Sequence, residues 1–253
     1  MDILTEVVSQ ITPTRNFNLT YIILDTIFLL VLAGLLVWKK RYLTLLFGLF
    51  GGILYLIVDY GGFYALSHTR EVLIDGVVQN ELNTFWVLLW MSMSYGFTNF
   101  IFIWTLVSKD KLWKYWIFMI VMWWICVPSI SLIGGPANIQ TRRTTNAYHG
   151  YMALALVISY LVLIIWMLYK KQNFSLLFKL NLIGVSVQFA WEVALLINGV
   201  RPLNNMSVQT LIVNSLIETN LGMPLIYLIY LVITKYFKED LKKQSAELIE
   251  ENQ

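Results

Sequence analysis

The sequence predicts an all-α, polytopic membrane protein: a seven-transmembrane-helix bundle with its N-terminus outside and its C-terminus cytoplasmic. Three observations predict it. Of 253 residues, 58% are hydrophobic and only 13% charged, with a mean hydropathy of +0.67, more apolar surface than a soluble domain of this size can bury. Seven apolar runs are each long enough, at about 1.5 Å per residue, to cross roughly 30 Å of hydrocarbon. Thirteen of the 18 basic residues then fall on one side of the bundle, as the positive-inside rule requires.

Taken in order, residues 1–17 read as an N-terminal interfacial segment, with a short helix ending near Pro13. Met1-Asp2-Ile3-Leu4-Thr5-Glu6 lacks the positive start of a signal peptide, so the first apolar run is expected to stay as a helix. The spans run over 18–38, 42–67, 84–107, 115–135, 148–169, 179–199 and 208–235, forming one transmembrane domain across 18–235. Short connections make sequence neighbours antiparallel neighbours. Trp38 and Tyr42, and Trp113, Tyr115 and Trp116, fit the aromatic belts of a bilayer. Residues 236–253, with Lys238, Glu239, Asp240, Lys242 and Lys243, read as a charged cytoplasmic tail. The expected location is the cell membrane, as a multi-pass protein.

Charge type divides with topology. The inner cations are lysines except for Arg41, whereas the outer five are all arginines: Arg15, Arg70, Arg142, Arg143 and Arg201. Planar guanidinium forks at an outer rim suit a carboxylate, a phosphate or a lipid head group. No nucleic-acid module is present. The single cysteine, Cys126, excludes a disulfide within the chain and a cysteine-based metal cluster.

Four acids lie inside spans: Asp25, Asp59, Glu192 and Glu218. Each sits about seven to ten residues from the outer end of its helix, roughly 10–15 Å deep. A carboxyl in hydrocarbon costs a few kcal/mol or more and faces a bundle interior. Their common depth predicts one shared polar cavity open to the outside. Thr210, Asn214, Glu218 and Gly222 recur every four residues on the last span, and Gln188 precedes Glu192 by one turn. Ser92, Tyr95 and Asn99 form a stripe on the third span, Tyr55 and Asp59 share a face of the second, and Asn220 follows Glu218. Gly61-Gly62 is expected to permit close helix approach. Pro224 should kink the last helix beside Glu218, and Pro128 should free the carbonyl of Trp124.

Desolvation raises the pKa of a carboxyl that lacks strong partners, and two neighbouring carboxyls repel, so one is expected to hold its proton near neutrality. That supplies general acid beside general base. Glu218 and Glu192 are the expected acid and base, with Asp59 and Asp25 as polarising partners. Gln188, Tyr95, Asn99, Asn214, Asn220 and Trp191 would line the substrate site. Arg142, Arg143 and Arg201 would hold an anionic head group, and the segment from Gly134 to Asn146, with His149 after it, would fold over the pocket. The aromatic face of Trp191 would stabilise a cationic ligand or intermediate.

No histidine-bound zinc spacing occurs and no cofactor is expected. A hard cation held by the oxygens of Asp59, Glu192, Asn214 and Glu218 fits the same residues. There is no Gly-x-Ser-x-Gly and no nucleophilic triad spacing. The expected chemistry is proton-initiated rearrangement of an isoprenoid, or hydrolysis or transfer on a lipid, with membrane lipids as partners. A ligand-binding receptor signalling through its tail, or a proton-coupled small-solute transporter, is the competing class. Seven spans in about 250 residues with a Trp191-Glu192 pair inside a helix resemble the small integral-membrane terpene cyclases. The resemblance implies membrane-embedded acids that protonate a polyprenyl substrate.

Overall fold

The computed structural model describes residues 13–131, 135–143, 146–203 and 205–237, with the side chains of 13–14, 130–131, 146–149 and 205–210 excepted. The expected interfacial helix before Pro13, the charged tail from Lys238, and the side chains of Thr210 and His149 lie outside the described residues. The chain is mostly helical. Its helices are α1 (Leu19–Trp38), α2 (Tyr42–Leu56, continued by a π-helix over Ile57–Leu66), α3 (Glu81–Val107), α4 (Trp113–Ser131), α5 (Asn146–Tyr169), α6 (Ser175–Ile197), α7 (Asn205–Ile217) and α8 (Met223–Tyr236). Among the described residues, six helical stretches are long and apolar enough to cross a membrane. The 19-residue α4 packs against α1, α3 and α6.

Helix α3 is the centre of the bundle. It touches α1, α2, α4 and α6, and it is by far the most buried of the six stretches, although the least hydropathic. The two facts have one cause. Ser92, Tyr95, Thr98 and Asn99 are buried inside the protein, so this helix does not need the uniformly apolar surface that the outlying α5 presents. Its tightest neighbour is α2, and the close approach lies at Gly48, Gly51 and Gly52 against Gly96. A Cβ on Gly51 would stand 2.6 Å from the carbonyl oxygen of Gly96, and one on Gly96 would stand 2.8 Å from that of Gly51. Gly61 and Gly62 do not serve this purpose: a Cβ on Gly61 would meet nothing within 4 Å. They fall instead in the π-helix, whose wider turn carries Asp59.

Both proline expectations are met. The last span breaks: α7 ends at Ile217, a 3-10 turn covers Asn220–Gly222, and α8 restarts with Pro224 in its first turn, where a missing N–H costs nothing. The freed Leu221 carbonyl accepts from the Ser159 hydroxyl at 3.1 Å. In α4, Pro128 leaves the Trp124 carbonyl without its helical donor, and the Asn198 amide reaches it at 3.3 Å.

The all-α expectation needs correction. A four-stranded antiparallel sheet, in the order β1-β4-β2-β3, caps one end of the bundle. Its strands are β1 (Pro13–Asn18), β2 (Arg70–Ile74), β3 (Val77–Val78) and β4 (Asn138–Arg143). Pro13 opens the first of these strands. Asp75 and Gly76, at φ 51° and 81°, make the two-residue turn of the β2–β3 hairpin. The Asn16 amide donates to the Val200 carbonyl at 2.6 Å, tying the α6–α7 loop to the sheet. At the opposite end, Arg41 and Asp110 join two turns through a buried ion pair at 3.0 Å.

Candidate functional site

The sheet explains the arginines. Arg15 rides on β1, Arg70 on β2, Arg143 on β4 and Arg201 on the tethered loop, so segments far apart in sequence bring four guanidiniums to one end of the bundle. Arg70 and Arg143 stand directly opposite each other in the β2–β4 register. Like charges so placed repel. Asp59, rising from the π-helix, lies within 3.4 Å of Arg70 Nη1 and 3.6 Å of Arg143 Nη1, and it accepts a short hydrogen bond from the Tyr95 hydroxyl. Burial pulls the Arg70 guanidinium down to about 10 against the attraction of Asp59, which still leaves it a cation at neutral pH. Burial also opposes the charge on Arg143, but Glu218 and Asp59 outweigh it and hold this group above its ordinary value.

A second polar chain crosses from α6 to the broken last span. Arg143 Nη2 donates to Glu218 Oε1 at 2.7 Å. The Gln188 amide nitrogen lies 3.3 Å from Glu218 Oε2 and 3.4 Å from Glu192 Oε1, while its oxygen accepts from the Thr219 hydroxyl at 2.6 Å. Glu192 is fully enclosed. Arg201 grips both its oxygens, at 2.7 and 2.9 Å, and Asn214 donates to it at 3.0 Å. Burial lowers the Arg201 guanidinium, and the Glu192 carboxylate opposes that effect.

Beside these chains lies a cavity of about 490 Å³, within the range of small-molecule sites, about 300–1,000 Å³. Its polar wall is Arg15, Tyr55, Asp59, Tyr95, Arg143, Gln188, Glu218 and Thr219. Phe100 and Ile226 line its apolar part. Leu54 and Val58 of α2 and Tyr151 and Ala155 of α5 also line it and are exposed on the flank of the bundle. An apolar side whose lining is exposed on the flank and a charged end make an amphipathic chamber.

The shared cavity is met for two of the four acids. Asp59 and Glu218 line it. Glu192 is walled off behind Gln188, and Asp25 sits apart, accepting from the Trp123 indole at 3.1 Å. Among the substrate residues, Gln188 and Tyr95 line the cavity, as does Arg143. Asn214 serves Glu192, and Asn220 accepts from the Tyr160 hydroxyl at 2.6 Å beside Gly184. Asn99 is fully buried on α3 outside the lining. Arg142 contacts Gln140 at 3.4 Å and does not line the chamber, and Arg201 is committed to Glu192.

Trp191 holds a cation, but it is the protein's own: the Arg15 guanidinium lies 4.8 Å from the Tyr95 ring centroid and 5.8 Å from that of Trp191. The expectation of carboxyls without strong partners fails, because Asp59, Glu192 and Glu218 each face at least one guanidinium. Among the described residues no three histidine, cysteine or acidic groups converge. A hard cation at Asp59, Glu192, Asn214 and Glu218 would have to displace arginines. Arg15 and Arg70, which the sequence places only on the outer rim, and Tyr55, which it places only on a face with Asp59, stand at the site, and so does Thr219, which no sequence signal singles out. Comparison with models of protein families, with curated proteins and with solved structures finds no match for this chain.

Proposed function

We propose that the protein is a multi-pass cell-membrane enzyme acting on a lipid or isoprenoid by general acid/base chemistry. It would be a seven-helix bundle, sheet outside and lysine-bearing turns inside. The observation that carries the reading is the chamber itself: a largely apolar cavity opening on the flank of the bundle, with Glu218, Asp59 and Tyr95 together in its wall. Glu218, paired with Arg143, is suited to accept a proton from substrate. The Tyr95 hydroxyl, already donating to Asp59, is the group able to return one. Glu192 and Asp25 then act through structure, not at the reacting atoms.

A binding protein without turnover is the second reading, favoured by the ion-pairing of each carboxylate in the site. The deciding experiment is a lipid and isoprenoid profile by mass spectrometry. It compares membranes carrying the wild type, Glu218→Gln, or an empty vector. A species made or consumed only with the wild type supports the enzyme. Unchanged profiles, with one small molecule co-purifying equally on both proteins, would overturn it and leave the binder.

A further inference from the structure

Among the described residues, the acids around the chamber and the guanidiniums do not pair one to one. Asp59, Glu192 and Glu218 face Arg70, Arg143 and Arg201, each acid within 4 Å of a guanidinium. Arg15 is the fourth cation. Its backbone is paired with Thr141 in the sheet, but among the described residues no acid pairs its side chain; its Nη1 is buried without a partner, and its guanidinium rests on the rings of Tyr95 and Trp191. A guanidinium is donor-only, and leaving a buried N–H such as that of Nη1 unmade is costly. Yet Arg15 lines the chamber beside Arg143.

We propose that Arg15, with Arg143 beside it, receives the singly charged head group of an anionic membrane amphiphile, a carboxylate or a phosphodiester. The apolar tail runs past Phe100 and Ile226 and leaves between Leu54 and Val58 of α2 and Tyr151 and Ala155 of α5. One negative charge would pair the guanidinium that no described acid pairs, and stacking on two aromatic rings holds the Arg15 fork in place for two-point contact. The side opening lets a tail stay in the bilayer while its head group reaches the charged end. This inference deepens the proposed reading by naming the class of ligand, and it shares that reading's chamber.

The test is binding of four probes to the full chain in phosphatidylcholine nanodiscs, read by native mass spectrometry: oleate, lysophosphatidylglycerol, oleyl alcohol and free acetate. Oleate and lysophosphatidylglycerol should bind the wild type about tenfold or more tighter than oleyl alcohol, as expected for one charge-assisted hydrogen bond. Arg15→Gln should erase that preference and Arg15→Lys keep part of it. Ala155→Trp, at the side opening, should weaken the amphiphiles and not acetate, which gives a readout even if Arg15→Gln does not fold. Equal affinity for oleate and oleyl alcohol on the wild type overturns the proposal, as does acetate binding as tightly as oleate, which would mark a free-anion site. Turnover is scored separately with Glu218→Gln. A charge preference without turnover sinks the enzyme reading alone.

Discussion

Arg201 closes on Glu192 as a two-point clamp, Nε to Oε2 at 2.7 Å and Nη2 to Oε1 at 2.9 Å, around a carboxylate with no exposed surface. The stretch between them includes the end of α6 and the turn at Gly199, whose φ of 66° folds the chain back. Removing one member of a buried pair strands the other charge and costs about 3–5 kcal/mol. Arg201→Ala is therefore expected to lower the melting temperature in detergent sharply. Arg201→Lys should recover only part of the loss, because an ammonium cannot span both oxygens. A melting temperature unchanged in Arg201→Ala would show that the clamp adds nothing.

Asn198 and Pro128 are expected to be coupled. The Asn198 amide donates to the Trp124 carbonyl that Pro128 has freed. Asn198→Ala leaves that carbonyl unsatisfied and should cost about 1–3 kcal/mol. Pro128→Ala restores an N–H at residue 128 and should recover much of that loss in the double variant. Thermal unfolding of the four proteins gives the cycle, and strict additivity would break the link.

The α2–α3 crossing should tolerate no Cβ. Gly51→Ala places a methyl 2.6 Å from the Gly96 carbonyl oxygen and against Phe100, so the helices must part, at a cost of about 1–3 kcal/mol. Gly61→Ala, in open space, is the control. It should be neutral or stabilising by up to about 1 kcal/mol. Equal melting temperatures for the two variants would mean the crossing is not tight.

The long apolar helices are legible because their signals are local: apolar runs and two prolines are read directly along the chain. The sheet was missed although part of it was legible, since Val72-Leu73-Ile74-Asp75-Gly76-Val77-Val78 carries an Asp-Gly turn between β-branched residues. Strands β1 and β4 are different. Pro13–Asn18 and Asn138–Arg143 pair across more than 100 residues of chain, and nothing local in either announces the partner. That pairing decides which acids are poised and which are clamped, because it delivers Arg15 and Arg143. The depth of the acids could be counted along each helix, but the rotation that turns Glu192 toward Arg201 and Glu218 toward the chamber depends on tertiary packing.

Arg143 gives a coupling test of the site. It is the only guanidinium within ion-pair distance of Glu218 among the described residues, at 2.7 Å, while Asp59 keeps Arg70 at 3.4 Å. In Arg143→Gln, Glu218 would face the apolar chamber with the Gln188 amide as its nearest donor. Removing one member of such a largely buried pair strands the other, and Arg143→Gln is expected to cost up to about 3 kcal/mol. Adding Glu218→Gln removes the stranded carboxylate and should recover part of that loss. Thermal unfolding of the wild type, the two single variants and the double variant gives the cycle. Strict additivity would mean that Arg143 does not hold Glu218, and the proposed proton acceptor would then have lost its physical support.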